Sequence, residues 1–120
     1  DSKEVDFLVA NGSGIPMDDA QEAQAIRSVF HSSLGSLKVT NVKAITGHLV
    51  YGSAGVEMGA ALLALRDGVI PAVANLEKPA EYCELPFVMN KPEYSMTRTC
   101  VFNSFGFGGQ NASLVVRKAS

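Results

Sequence analysis

Two charges and a histidine interrupt an otherwise apolar stretch of this chain. Lys43 and His48 stand within Val42-Lys43-Ala44-Ile45-Thr46-Gly47-His48, and Glu57 follows within Gly52-Ser53-Ala54-Gly55-Val56-Glu57. An isolated charge among apolar side chains is costly, so Lys43 and Glu57 should each have a partner, and the simplest partner is the other. A histidine beside such a pair can donate a hydrogen bond or handle a proton, because its ordinary pKa lies near neutrality. The same residue also reads as a core histidine with satisfied ring nitrogens, and these residues alone leave both readings open.

Holding these groups requires a strand that stops at Gly47, a histidine at the turn, and then a helix. Residues 39–45 read as that strand, the second of the chain. The helix is expected over residues 52–67, with Gly68 as its stop. Its large residues Val56, Met58, Leu62, Leu63 and Leu65 point in several directions, which predicts burial on more than one side. Upstream, residues 5–10 form an almost unbroken apolar run that ends in Asn11-Gly12-Ser13-Gly14, the pattern of a strand covered on both faces followed by a tight turn. Pro16 and Asp18-Asp19 then signal a helix start, Asp19-x-x-Glu22 resembles a capping box, and Ala23, Ile26, Val29 and Phe30 form an apolar stripe ending near His31. His31, at the helix C-terminus, suits the dipole and reads as structural.

Residues 70–76 predict a third strand, and residues 77–97, punctuated by Pro79, Pro86 and Pro92, an excursion loop with an apolar island at residues 85–88. Residues 99–102 and 113–116 predict two closing strands around Asn103-Ser104-Phe105-Gly106-Phe107-Gly108-Gly109-Gln110-Asn111. The order β-α-β-α-β plus a closing pair predicts an α/β fold, a layered mixed sheet with helices.

The 120 residues fit one domain or part of one, and 47% hydrophobic with 18% charged residues argues against disorder. A formal net charge of -2, with scattered basic residues, leaves no footprint for nucleic acid or an anionic membrane. Cys83 and Cys100 lack metal-ligand spacing and predict reduced thiols in a cytoplasmic protein; no metal site is expected. The abrupt start on a strand, and a helix with too little material to cover it, predict a portion of something larger.

The segment from Asn103 to Asn111 closely resembles the C-terminal signature of the β-ketoacyl synthases, the thiolase-fold condensing enzymes of fatty-acid and polyketide assembly. Lys43-Ala44-Ile45-Thr46-Gly47-His48-Leu49 resembles the family's lysine–histidine motif, and Ala64-Leu65-Arg66-Asp67-Gly68-Val69-Ile70-Pro71 the stretch after it. The motifs occur in family order and spacing over nearly the whole chain. The resemblance implies the C-terminal half of a thiolase-like fold across residues 1–120, without the N-terminal half. It also implies a decarboxylative Claisen condensation of acyl and malonyl thioesters. His48 would be the second of two histidines that hydrogen-bond the malonyl thioester carbonyl, and Lys43 with Glu57 the supporting pair. Phe107 would be the gating phenylalanine whose backbone N–H joins an oxyanion hole, and Phe105, Gly106 and Gly108 its loop. The implied partners are an acyl carrier protein and a ketosynthase subunit in a homo- or heterodimer. No cofactor is implied beyond the phosphopantetheine arm that carries the thioesters.

Two departures stand out. The family's nucleophilic cysteine belongs to the N-terminal half, and neither Cys83 nor Cys100 has the setting that activates a thiol. Where active members carry His-Gly-Thr-Gly-Thr, this chain reads Asn11-Gly12-Ser13-Gly14-Ile15, so Asn11 stands at the first-histidine position. An amide can donate to a carbonyl oxygen but cannot exchange a proton near neutral pH. This chain alone is therefore expected to be inactive, and the loss of a histidine also resembles the non-catalytic chain-length-factor partners of ketosynthases.

Overall fold

The computed structural model describes residues 1–119. Strand β1 (Phe7–Val9) leads through the glycine turn into helix α1 (Pro16–Phe30), strand β2 (Lys38–Thr40), a one-turn helix α2 (Lys43–Thr46) and helix α3 (Ser53–Asp67). Strands β3 (Val69–Ile70), β4 (Glu93–Tyr94), β5 (Thr99–Gly106) and β6 (Gln110–Arg117) complete it. The main sheet has the order β2-β1-β5-β6. β1 runs parallel to β2 and β5, with Leu8 opposite Val39 and Val101, while β5 and β6 form an antiparallel hairpin.

The expected layering follows from β1. Its side chains alternate between faces. Phe7 and Val9 pack with Ala61, Ala64 and Leu65 of α3 on one face, and Leu8 and Ala10 pack with Ile26 and Phe30 of α1 on the other. Both faces are covered, and an unbroken apolar run is the sequence such a strand needs. No described helix is long and apolar enough to cross a membrane.

Several expectations are corrected. The second strand ends at Thr40, not residue 45, because Asn41 turns the chain. Its Oδ1 accepts the Ala44 N–H at 3.2 Å and its Nδ2 donates to the carbonyls of Ala10, Asn11 and Gly12 at 3.1, 3.2 and 3.3 Å. Asparagine offers backbone groups such side-chain alternatives to a ladder, and Lys43 consequently sits on a helical turn rather than a strand. That turn ends at Gly47, whose φ of 73° suits glycine.

The capping box at Asp19 and Glu22 does not form: α1 starts at Pro16 behind Ile15, which makes no side-chain cap, and both carboxylates bond the Asn11–Gly14 turn instead. Val29, placed on the apolar stripe, is exposed, whereas Ala23, Ile26 and Phe30 are buried.

The third strand shrinks to Val69–Ile70 and pairs with β4 in a separate two-stranded sheet. Pro71 has no N–H for a ladder, and its carbonyl accepts from Thr40 Oγ1 at 2.6 Å. Residues 77–97 are therefore not all loop, since they contain β4 and a 3₁₀ turn at Glu81–Cys83, and the apolar island docks Phe87 beside Val39. The closing strands are longer than expected and absorb most of the glycine-rich segment, leaving residues 107–109 as the turn. Within this chain α3 buries one face only, through Ser53, Glu57, Ala61, Ala64 and Leu65, while Val56, Leu62 and Leu63 are exposed.

Candidate active site

The glycine turn after β1, helix α2 with its link to α3, and the β5–β6 hairpin converge at one end of the sheet. Asn11, the first residue after the buried strand, is 6% exposed. Glu22, nearly two turns into α1 and facing inward, receives the backbone N–H groups of Asn11 at 2.8 Å and Gly12 at 2.9 Å and the Asn103 amide at 3.0 Å. Asn103 Oδ1 in turn accepts from Ser113 Oγ at 2.7 Å. A buried carboxylate with three donors is well compensated, and here it ties the end of β1 to β5.

Lys43 meets the same turn from the other side. Its Nζ lies 2.7 Å from the Asn11 carbonyl, 3.5 Å from Asn11 Oδ1 and 2.6 Å from Glu57 Oε1. The Lys43 and Glu57 side chains are 6% and 1% exposed, so the suspected buried pair forms. Charge drives this contact; neither Glu57 oxygen receives an aligned hydrogen bond among the described residues. The cation is thereby spent on Glu57 and Asn11, which makes Lys43 a support for the turn.

His48 is exposed in this chain. Its Nδ1 accepts the Val50 N–H at 3.0 Å and lies 3.4 Å from Ser53 Oγ, which itself accepts the Leu49 N–H at 2.8 Å. A backbone N–H can only donate, so Nδ1 is unprotonated in the neutral ring and the hydrogen sits on Nε2. Holding that N–H in place puts Val50 at a φ of 52°. A β-branched residue there is strained by about 1–3 kcal/mol, and such strain gathers at functional sites.

The hairpin closes the arrangement. The Phe105 N–H donates to Asn11 Oδ1 at 3.0 Å, while Phe107, two residues on, is 76% exposed. Gly108 and Gly109, at φ values of 88° and 81°, make the turn. Asn11, His48, Phe105, Gly106, Phe107 and Gly108 border one cleft of about 770 Å³, and a second cleft of about 400 Å³ adjoins it at His48 and Lys43. All eight candidate residues are thus brought to one region, except that Glu57 reaches it only through Lys43.

Sequence reasoning missed Glu22, Asn41, Asn103 and Val50. The signal for Glu22 was a glutamate on the apolar side of α1 next to Ala23 and Ile26. The thiols take no part: burial raises the Cys83 pKa and pushes Cys100 up to about 11, and both are free. Burial also raises the Asp19 pKa, against the lowering effect of the Gly14 and Ser13 backbone N–H groups.

This arrangement can offer hydrogen-bond donors to an acceptor in a cleft whose floor is fixed by buried charge. The family of the β-ketoacyl synthase C-terminal domain matches residues 1–77. A 3-oxoacyl-[acyl-carrier-protein] synthase 2 of Coxiella burnetii is 39% identical over 114 residues, 95% of this chain and 28% of the relative. The ishigamide ketosynthase/chain length factor superposes over 100% of this chain and 29% of its own, with a TM-score of 0.93 and 28% identity. A type II polyketide ketosynthase, solved with its acyl carrier protein and bound to the hexaketide, superposes with a TM-score of 0.95 at 24% identity, again over 100% of this chain and 29% of its own. The chain thus spans a little over a quarter of the relatives it matches, in their C-terminal half. With the fold, the hairpin and the lysine–histidine segment all in agreement, this chain belongs to the β-ketoacyl synthase family.

Proposed function

We propose that these residues form the C-terminal part of a condensing enzyme that joins acyl and malonyl thioesters by decarboxylative Claisen condensation, in fatty-acid or polyketide assembly. The acyl groups arrive on an acyl carrier protein, the protein acts in the cytoplasm, and it pairs with a second ketosynthase subunit. The nucleophilic thiol comes from outside these 120 residues, since burial disfavours the thiolate of both Cys83 and Cys100. The carbon–carbon bond to the malonyl carboxylate breaks, carbon dioxide leaves, and the electron pair stays as an enolate. Negative charge then gathers on the thioester oxygen. His48 Nε2–H and the Asn11 amide are the donors placed to meet it, and preorganised donors in a sheltered site stabilise such charge by several kcal/mol. The enolate carbon attacks the acyl thioester and the thiolate departs. Lys43 and Glu57 are positioning residues that hold the Asn11 turn, and the Phe107 ring gates the acyl pocket.

The observation that supports this reading is the Val50 N–H held on His48 Nδ1 at 3.0 Å, which leaves Nε2 free to donate, in a residue that borders the same cleft as Asn11 and the Phe105–Gly108 segment. The test is decarboxylation of malonyl carrier protein by the intact protein. Wild type should be active and His48→Ala should lose about a hundredfold, the usual loss for one such donor. An unchanged rate in His48→Ala would refute the assignment. The isolated 120-residue chain should show no turnover above its own His48→Ala control.

Asn11 at the first-histidine position favours a second reading, a non-catalytic partner resembling a chain length factor. Under that reading the intact protein is silent alone, also as Asn11→His, and a co-purified ketosynthase becomes active in its presence.

A further inference from the structure

We infer that Ser53, the first residue of α3, is a positioning residue for His48, its one hydroxyl bracing both the imidazole ring and the strained turn that carries it. This deepens the condensing-enzyme reading and rests on it for the effect on turnover. Ser53 is 5% exposed. Its Oγ accepts the Leu49 N–H at 2.8 Å and lies 3.4 Å from His48 Nδ1. A backbone N–H can only donate, so it takes a lone pair of the oxygen and leaves the hydroxyl hydrogen to find an acceptor. Among the described residues the acceptor within reach of that hydrogen is Nδ1, which the Val50 N–H at 3.0 Å already requires to be unprotonated. Two donors, one from the turn and one from the helix, therefore face a single ring nitrogen.

The brace acts on two degrees of freedom. A half-turn of the imidazole about its Cβ–Cγ bond would put carbon where Nδ1 and Nε2 now stand, and both donors oppose it. The backbone is tied as well. Val50, at a φ of 52°, lies between Leu49 and Ser53, and the Leu49 N–H to Ser53 Oγ bond closes this turn together with the Gly52 N–H to the Leu49 carbonyl at 2.9 Å. A serine at a helix start can reach back to the preceding backbone in this way, and an alanine cannot. Without Ser53 the Leu49 N–H loses its acceptor, the turn is free to relax, and the Val50 N–H is left to orient the ring by itself.

The experiment uses the intact protein, with malonyl carrier protein as substrate and nitrogen NMR of the His48 ring as a second readout. Wild type should show the Nε2–H tautomer alone; a ring with its hydrogen on Nδ1 overturns the brace before any substitution is made. Ser53→Ala should lower kcat for decarboxylation about tenfold with KM within about twofold of wild type, and its two ring-nitrogen signals should draw together as tautomers and ring orientations mix. Ser53→Cys, close to serine in size but a weak donor, should fall between the two, and Ser53→Thr, which keeps the hydroxyl, should retain the wild-type ring signals. In a His48→Ala background Ser53→Ala should cost nothing further, because a group that acts through another has no effect once the other is gone. Ring signals unchanged in both Ser53→Ala and Ser53→Cys, or a full tenfold loss on top of His48→Ala, overturns the positioning role. If wild type does not decarboxylate and His48→Ala changes nothing, the condensing-enzyme reading falls, and the ring signals still decide the brace.

Discussion

Asn11 and Phe107 border the same cleft and are held in opposite ways. Asn11 follows the most buried strand of the sheet and is bonded through its N–H, its carbonyl and its side-chain oxygen to α1, α2 and β5. Phe107 sits at the tip of the β5–β6 hairpin with its ring exposed, followed by Gly108 and Gly109, whose added Cβ would touch nothing within 4 Å. Stability is not uniform across a fold, and segments that must move come from its weakly held end. The cleft has a rigid floor and a free rim, and substitutions on the two sides should differ in what they damage.

The largest effect is expected at the floor. Lys43→Met leaves the Glu57 carboxylate buried without its cation, which should destabilise the intact protein by about 3–5 kcal/mol. Adding Glu57→Leu should recover much of that loss, because a buried pair replaced by apolar groups of similar volume is often tolerated. Urea unfolding of the two variants checks both statements. A loss under about 1 kcal/mol in Lys43→Met would show that buried charge does not hold the floor.

Two glycines sharpen the contrast with a matched change. At Gly12 the φ of 45° disfavours alanine, and an added Cβ would run into Asn41 Nδ2, the amide that bonds three carbonyls of the turn. At Gly108 the φ of 88° also disfavours alanine, but the space around it is open. Gly108→Ala should cost about 1–2 kcal/mol from conformation alone, and Gly12→Ala roughly twice that, since lost hydrogen bonds add about 1 kcal/mol each. Equal losses in thermal unfolding would mean that the Asn41 clamp contributes nothing.

The same division runs through what could be read from the sequence. The floor's strand was legible because an apolar run covered on both faces has a distinctive pattern, and α3 because its run of apolar residues and Gly68 mark its course and end. The Lys43–Glu57 pair was legible because buried charge demands a partner. The turn chemistry was not. Asn41 stands inside an apolar run where alternation suggests strand, and only its bonds to Ala10, Asn11, Gly12 and Ala44 reveal a chain reversal. Glu22 matched a capping box three residues after Asp19, and local pattern cannot tell a helix's own N–H groups from those of the Asn11 turn. The strain at Val50 leaves no mark at all in residue type. Long-range hydrogen bonds decide these positions, and they join segments up to 94 residues apart, as between Asn11 and Phe105.

The smallest effect on stability is expected at the rim. The Phe107 ring is 76% exposed, so Phe107→Ala removes little packing within this chain and should change stability by no more than about 0.5 kcal/mol. Condensing activity should fall nonetheless, because a gating ring acts by where it stands in the cleft and not by what it buries. Calorimetry of the intact protein beside a single-turnover acylation assay separates the two. An unchanged melting temperature with slowed acylation supports a free rim over a fixed floor. A clear loss of stability would mean that the ring is packed under another part of the intact protein, and the hairpin would then belong with the floor. Unchanged acylation with unchanged stability would remove Phe107 from the mechanism, leaving Asn11 and His48 as the groups by which this chain could act on a thioester.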